Sequence, residues 1–428
     1  MATFTVNQPL RGRHWVFLVL AVCWFIYIAR DHFHTSMVVF GQDFEVYRSG
    51  AGVVFGDLHP GKGLYDYHLE NGQPFTLPFT YPPFAVMVFA PFAVLPLWAG
   101  TGAMTVLALV AALWVGVLVL NYARARGMRV PGEAFLGSYT LVVLLATLIT
   151  IAAPWDRGIE LGQINPLIFL LVMIDLLRPA TRVPRGVLIG IAGGIKLTPL
   201  AFGLILLMRK DIKGVVTLGA TFAATVAAGF LFMRQEFYDF WFFAVSDPSR
   251  VGNIGYVDNI SVQGTLLHLG LEAGTALSVA RYAVIALLFV GTAAAIPALY
   301  RRGMVFSEIS LNAFLMLAIS PISWSHHFIW LPVFLAALVF DAFPVFFARC
   351  SRPVLWGAAG LALVGVAGLV YGPMKLAIKL DPHTHNLDEL SSSALLVSAL
   401  PMVALTMLVL MWLVAIWRYR EVAPLQGR

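Results

Sequence analysis

Charge is what this chain has least of. Only 12% of its 428 residues are Asp, Glu, Lys or Arg, while 60% are hydrophobic. Soluble domains carry about 25% charged residues. Mean hydropathy is +0.83. Together these values exclude an ordinary water-soluble globule and make a bilayer the natural solvent. Cysteine is almost missing: Cys23 and Cys350 each border or sit in an apolar segment. That argues against a disulfide framework and a cysteine metal site. There is no Asp-x-Asp pair, so the usual metal site of nucleotide-sugar enzymes is missing. A phosphate-binding glycine loop, a zinc helix motif and a dinucleotide fingerprint are missing too. Heptads, low-complexity tracts, internal repeats and a soluble domain are likewise absent. The net charge of +6 does not call for a nucleic-acid partner, because in a membrane chain Lys and Arg first report topology. Arg11 and Arg13 flank a first apolar segment with no small-residue cleavage site after it, which reads as a retained anchor.

What is present is a series of apolar segments near 15–29, 84–98, 99–122, 135–153, 165–177, 186–208, 214–233, 276–299, 308–322, 327–347, 354–371 and 395–417. A spanning helix needs about 20 apolar residues. Basic clusters at Arg124, Arg126 and Arg129, at Arg178, Arg182 and Arg185, at Arg209, Lys210 and Lys213, and at Arg301 and Arg302 belong inside. Satisfying all of them leaves 84–98, broken by Pro91 and Pro96, as an interfacial helix. It also makes 186–208, with Gly193, Gly194, Lys196 and Pro199 at its middle, a broken re-entrant pair. Proline disrupts a helix there, and irregular backbone at membrane depth is tolerated only inside protein or along a polar cavity. The expected fold is an all-α polytopic membrane protein, one integral-membrane domain over 1–428. It has about ten full crossings plus interfacial and re-entrant helices, eleven or twelve if those are counted. Stretches 31–83 and 234–275 become external loops, the first of them the catalytic one, and PWDRGIELGQIN becomes an external linker.

The same charge rule puts five polar constellations on one face, opposite the basic loops: Asp43, Tyr81-Pro82-Pro83, Gly162-Gln163-Ile164-Asn165, Asn259 through Gln263, and Ser325-His326-His327. Five such groups on one face read as one site. Asp43 closely follows the first helix, and a carboxylate beside a wet cavity can take a proton from an attacking hydroxyl; Glu45 is the fallback. Tyr47, Tyr65, Tyr67, Phe75, Phe79, Tyr81 and Trp98 read either as an interface belt or as stacking faces for a sugar. Lys196 is a cation inside an apolar segment, a costly placement that marks a functional hypothesis. It could meet a phosphate or pair with Asp175. One of His326 and His327 could donate to a phosphate oxygen. Adjacent histidines point in different directions, so they make a poor metal pair. His383 and His385 read as plain loop residues. Arg234 and Arg250 are candidate phosphate clamps.

The order D-F-x-V-Y, F-T-Y-P-P, G-Q-I-N-P, G-I-K-L-T-P and S-P-I-S-W-S-H-H resembles the family-87 glycosyltransferases of actinobacteria, which belong to the GT-C superfamily. The likeness runs from about residue 40 to 345. It implies a polyprenol-phosphate-mannose-dependent α-(1→2)-mannosyltransferase. The donor would be polyprenyl-phosphate-mannose, entering from the membrane lipids. The acceptor would be a glycolipid of the phosphatidylinositol mannoside or lipomannan class. The resemblance places the active site on the extracytoplasmic face of the plasma membrane and implies Asp43 as base. It implies donor or acceptor contacts from Lys196 and His326 or His327. Glu45, Tyr47, Tyr81, Gln163, Asn165, Asn259 and Gln263 are the other candidate binding residues. Polyprenyl phosphate would leave already charged, so no acid is strictly needed, and no cofactor and no metal are expected, in agreement with the missing Asp-x-Asp pair. The rival readings are a transferase using polyprenyl-phosphate-arabinose and a lipid or sugar transporter, since broken helices near the midplane also suit transporters.

Overall fold

The computed structural model describes residues 12–39, 41–56, 63–65, 68–69, 77–179, 182–382 and 390–421. Tyr67, Phe75, His383 and His385 lie outside the described residues. The described chain is helical apart from one antiparallel pairing of His68–Leu69 with Leu77–Pro78. Among the described residues, seven helices are long and apolar enough to cross a membrane, or eight if the bent pair Ser138–Ile151 and Ala153–Glu160 is one span. Four shorter apolar helices add to them: Pro83–Val94, Asn165–Leu177, Thr198–Met208 and Val305–Ile319. With the bent pair taken as one, each of these twelve stretches overlaps one of the apolar segments of the sequence. The chain is a multi-pass membrane protein of all-α class.

The chain divides into two compact units, 31–108 with 158–253, and 1–30 with 109–157 and 254–428. The first four helices are α1 (Gly12–His34), α2 (Gln42–Phe55), α3 (Pro83–Phe89) and α4 (Leu97–Ala125); later ones are given by their ranges.

In the unit holding 31–108 and 158–253, α2 lies where the sequence predicts loop. Residues 42–55 were expected as loop, and they form a helix of 14 residues. Phe44, Tyr47 and Ala51 are its fully buried apolar side chains, three or four residues apart as on one helical face. Gly50 and Gly52, poor helix formers, hide that period in the sequence. Gly50 has a packing role: a Cβ there would stand 2.6 Å from the Phe79 ring. Gly41 starts the helix at φ 72, where L side chains are strained. Its N–H donates to the Glu160 carbonyl at 2.8 Å, and the Asp43 N–H donates to that of Leu161 at 3.1 Å. So the free N–H groups of the first turn dock α2 onto the turn before Asn165–Leu177.

The break expected in 186–208 is present. Helix Val187–Ile195 stops at Lys196, which is extended (φ −147, ψ 129), and a 3-10 turn Thr198–Phe202 follows with Pro199 at its start. Asp175 caps the first half, accepting from the Gly186 and Ile189 N–H groups at 2.9 and 3.0 Å and from Arg178 at 2.7 Å. Asp175 is therefore a helix cap and not a partner of Lys196. The half-helix packs against Ile212–Phe232 through Gly190 and Gly194, where Cβ atoms would stand 2.7 and 2.4 Å from Thr221 and Thr225. This is the small-residue contact by which helices approach closely in lipid.

In the other unit, Thr275–Arg301, Val305–Ile319 and Ser392–Arg418 pack together, and Arg352–Tyr371 lies along Ser392–Arg418. The expected linker at 154–165 instead begins with helix Ala153–Glu160, bent by 70° from Ser138–Ile151. Pro154 sits in its first turn, where a missing N–H costs nothing.

Candidate active site

Asp43 sits in the first turn of α2 and is half-buried. The Gln163 side-chain amide donates to its Oδ2. Gln163 is 4% exposed, and its Oε1 accepts from the Tyr47 hydroxyl at 3.1 Å. Tyr47 is fully buried. Its ring stacks on Phe89 at 4.4 Å and meets Tyr81 edge-on at 5.3 Å, and the two hydroxyls are 3.0 Å apart. The Tyr81 carbonyl accepts from Tyr65 at 2.8 Å. Burial, with the Asp43 charge adding to it, pushes both the Tyr47 and the Tyr81 hydroxyls above the usual phenol range. Both therefore stay protonated and can donate.

Lys196 closes the cluster. Its Nζ donates to Asn165 Oδ1 at 3.1 Å and stands 5.8 Å from the Tyr81 ring centre, within cation–π range. It is near enough to Asp43 for the two charges to act on each other. A half-buried carboxylate and a half-buried ammonium thus stand beside buried polar and aromatic side chains. The carboxylate can accept a proton, and the cation can stabilise a developing phosphate charge.

Glu45 has a different environment from Asp43. Arg48 grips both of its oxygens at 2.7 Å, and Ser49 adds a third bond at 3.2 Å. Arg250 donates to the Tyr65 carbonyl. Arg234 is exposed and lies 5.6 Å from the Phe230 ring centre.

The remaining candidates belong to the other unit. Asn259 is fully buried. Its Nδ2 donates to the Ile254 and Pro321 carbonyls at 2.8 and 3.1 Å, and its Oδ1 accepts from the Ser261 and Ser323 N–H groups at 3.1 and 2.9 Å. Those four bonds use the whole capacity of an amide. Asn259 ties 254–261 to 321–324, and no atom is left for a ligand. Tyr47, also expected to touch substrate, is buried under the site for the same kind of reason. His326 is 5% exposed, and its ring stands edge-on to that of half-buried His327 at 4.6 Å. Gln263 is half-buried on Val262–His268. Asp258, which the sequence did not single out, is 7% exposed and accepts from the Ser325 N–H and hydroxyl at 3.3 and 3.0 Å. Burial pushes its carboxyl up to about 6, with Ser325 and Arg157 pulling the other way. The five constellations therefore gather in two sets. Asp43, Tyr81, Gln163 and Asn165 meet with Lys196 in one unit; Asn259, Gln263 and the histidine pair belong to the other, as do Asp258 and Ser325.

Comparison with known proteins gives this cluster a context. The model of glycosyltransferase family 87 matches residues 79–321, more than half of the chain. This chain belongs to glycosyltransferase family 87. Among its relatives is the polyprenol-phosphate-mannose-dependent alpha-(1-2)-phosphatidylinositol mannoside mannosyltransferase of Mycobacterium tuberculosis, 32% identical over 298 residues and 68% of each chain. The protein of the same name from Mycolicibacterium smegmatis is 32% identical over 75% of this chain and 74% of its own. A phosphatidylinositol pentamannoside mannosyltransferase of that organism is 32% identical over 77% of this chain and 76% of its own. No solved structure matches. The family-87 model covers Tyr81, Gln163, Asn165 and Lys196 but begins after Asp43. The case for Asp43 therefore rests on its place beside Gln163 and Lys196.

Proposed function

We propose that this membrane glycosyltransferase moves mannose from polyprenyl-phosphate-mannose to a mannosyl 2-hydroxyl of a phosphatidylinositol mannoside-class glycolipid, with inversion. Asp43 accepts the hydroxyl proton as the oxygen bonds to the anomeric carbon. The bond from that carbon to the phosphate oxygen breaks, and its electron pair leaves with polyprenyl phosphate. Lys196 lies where it can stabilise the charge that grows on the phosphate. The observation that carries the reading is the half-buried Asp43, fixed by the Gln163 amide and within electrostatic reach of Lys196. The relatives' names support the donor and the acceptor class. The basic clusters at 124–129, 178–185 and 209–213 support an active site on the extracytoplasmic face of the plasma membrane.

The test is transfer by purified protein in liposomes, supplied with labelled polyprenyl-phosphate-mannose or polyprenyl-phosphate-arabinose and a phosphatidylinositol mannoside acceptor. Mannose should move and arabinose should not. Asp43→Asn should lower the rate by about 10²–10⁴-fold while donor binding persists. Asp43→Asn working at the normal rate would remove the base from this reading.

A further inference from the structure

The geometry points to Gln163 as the positioning residue of Asp43, with Tyr47 and Tyr81 locking its amide in the only orientation that serves the carboxylate. This inference rests on the base role proposed for Asp43. An ionised carboxylate only accepts hydrogen bonds, so the amide must turn its NH2 toward Asp43, as it does. That leaves Oε1 facing Tyr47, which donates its single hydroxyl proton to it. The Tyr47 oxygen then accepts twice, from the Ile164 N–H at 3.4 Å and from the Tyr81 hydroxyl at 3.0 Å. The bonds run in one direction: Tyr81 to Tyr47, Tyr47 to Gln163 and Gln163 to Asp43. A flipped amide would break two of them at once, setting oxygen against carboxylate and NH2 against a phenol proton.

Burial separates this role from ligand binding. Gln163, Tyr47 and Tyr81 are 4%, 0% and 9% exposed, against a half-buried Asp43. Of the four, the carboxylate has the most surface for a sugar to meet. The backbone reinforces the pairing, because the Asp43 N–H is bonded to the Leu161 carbonyl, two residues before Gln163. One short turn therefore fixes both the main chain and the side chain of the base. The titratable groups that bear on Asp43 include Lys196, Tyr47 and Tyr81. Glu45 and Arg48 are paired on its own helix, and Glu160 ends the helix before the turn.

The experiment compares Gln163→Glu, Gln163→Leu and Tyr47→Phe with the parent chain in liposomes. It measures kcat and donor KM from pH 5 to 9 and thermal unfolding of each protein. Gln163→Glu sets a second carboxyl against the first and should move the acidic limb of the kcat profile up by about one pH unit. Gln163→Leu should lower kcat about 10–100-fold with donor KM changed less than about threefold, the size expected for losing a group that orients a reacting one. Tyr47→Phe frees the amide to flip and should give a smaller kcat loss, about 3–10-fold, with the limb unmoved. Three outcomes would overturn the inference: an acidic limb unmoved in folded Gln163→Glu, a loss confined to donor KM, or unfolding of both Gln163 variants. Asp43→Asn in the same assay separates the two claims. If it is inactive while the Gln163 profiles stay normal, the positioning role alone fails. If it is active, the base reading fails first.

Discussion

Two aspartates of this chain each have a tyrosine in their network, and they are built for opposite purposes. Asp341 is completely buried in a π-helical stretch, Leu338–Phe346. Its Oδ2 accepts from the Tyr122 and Ser307 hydroxyls, both at 2.6 Å, and Arg126 is ion-paired with its Oδ1 at 3.2 Å. Arg126 also donates to the Arg302 carbonyl at 2.9 Å, and Tyr122 stacks on Phe306 at 4.0 Å. Every element of that cluster holds another in place, and no substrate can approach it. Asp43 is half-buried, and the bonds traced from it run through Gln163 to Tyr47 and Tyr81, which are buried. A fully buried carboxylate held by an arginine and two hydroxyls is a fastener, whereas a half-buried one oriented by a buried amide can exchange a proton. The comparison is thus of exposure and bonding direction, since both residues are Asp with phenols in their networks.

Exchanging the two losses gives the sharpest test. Asp341→Ala leaves Arg126 with an uncompensated charge, and breaking a buried pair costs about 3–5 kcal/mol. The expected result is a large fall in folded yield and melting temperature, with near-normal turnover per folded molecule. Asp43→Asn should do the reverse, keeping yield and melting temperature and losing turnover. Activity assays normalised to folded protein, run beside thermal unfolding in detergent, separate the two. An Asp341 variant that folds normally but fails to transfer would erase the distinction.

Asp258 lies between these extremes, nearly buried yet bonded through one oxygen to Ser325. Its carboxyl is raised from an ordinary value of 3.8 to about 6, chiefly by burial. The sign follows from linkage. Between those two values the unfolded chain gives up the proton and the folded chain keeps it, so stability falls as pH rises through that window. The fall should be roughly 1–3 kcal/mol. Melting temperature measured from pH 4 to 7 should show it, and Asp258→Asn should flatten that part of the curve. An unchanged slope in the variant would assign the pH response to another group.

Much of this is legible in the sequence alone. Apolar run lengths mark the helices, Pro199 marks the break at Lys196, and the scarcity of acids makes Asp43 stand out. What stayed hidden depends on contacts distant in sequence. Asp341 lies inside the apolar run LVFDAFPVF, and its place there could have marked it by the same rule as Lys196, but its partner Tyr122 lies 219 residues away. Asp175 is spaced to look like a partner for Lys196, yet it caps the helix that ends there, because two N–H groups and Arg178 satisfy it first. Asn259 carries the residue type of a ligand contact, and only the four bonds around it show that it is scaffold. Helix α2 was masked by its own glycines, whose use is apparent only once Phe79 packs on Gly50.

The smallest expected effect separates neighbours on one helix. Glu45 is two residues from Asp43 and shares its first turn, and in sequence it is the natural substitute as base. In the structure its two oxygens are held by Arg48 at 2.7 Å on the same surface of α2. The pair is partly exposed, with side chains 28% and 17% accessible, so water screens it and its contribution is about 0.2–1 kcal/mol. Glu45→Gln should therefore lower the melting temperature slightly and change kcat less than about threefold, with the acidic limb of the pH profile in place. Adding Glu45→Gln to Asp43→Asn should cost no more activity than Asp43→Asn alone. A double variant much slower than Asp43→Asn would mean that Glu45 supplies the residual proton acceptance, and the division between the proton-exchanging and the fastened carboxylate would have to be redrawn within this one turn.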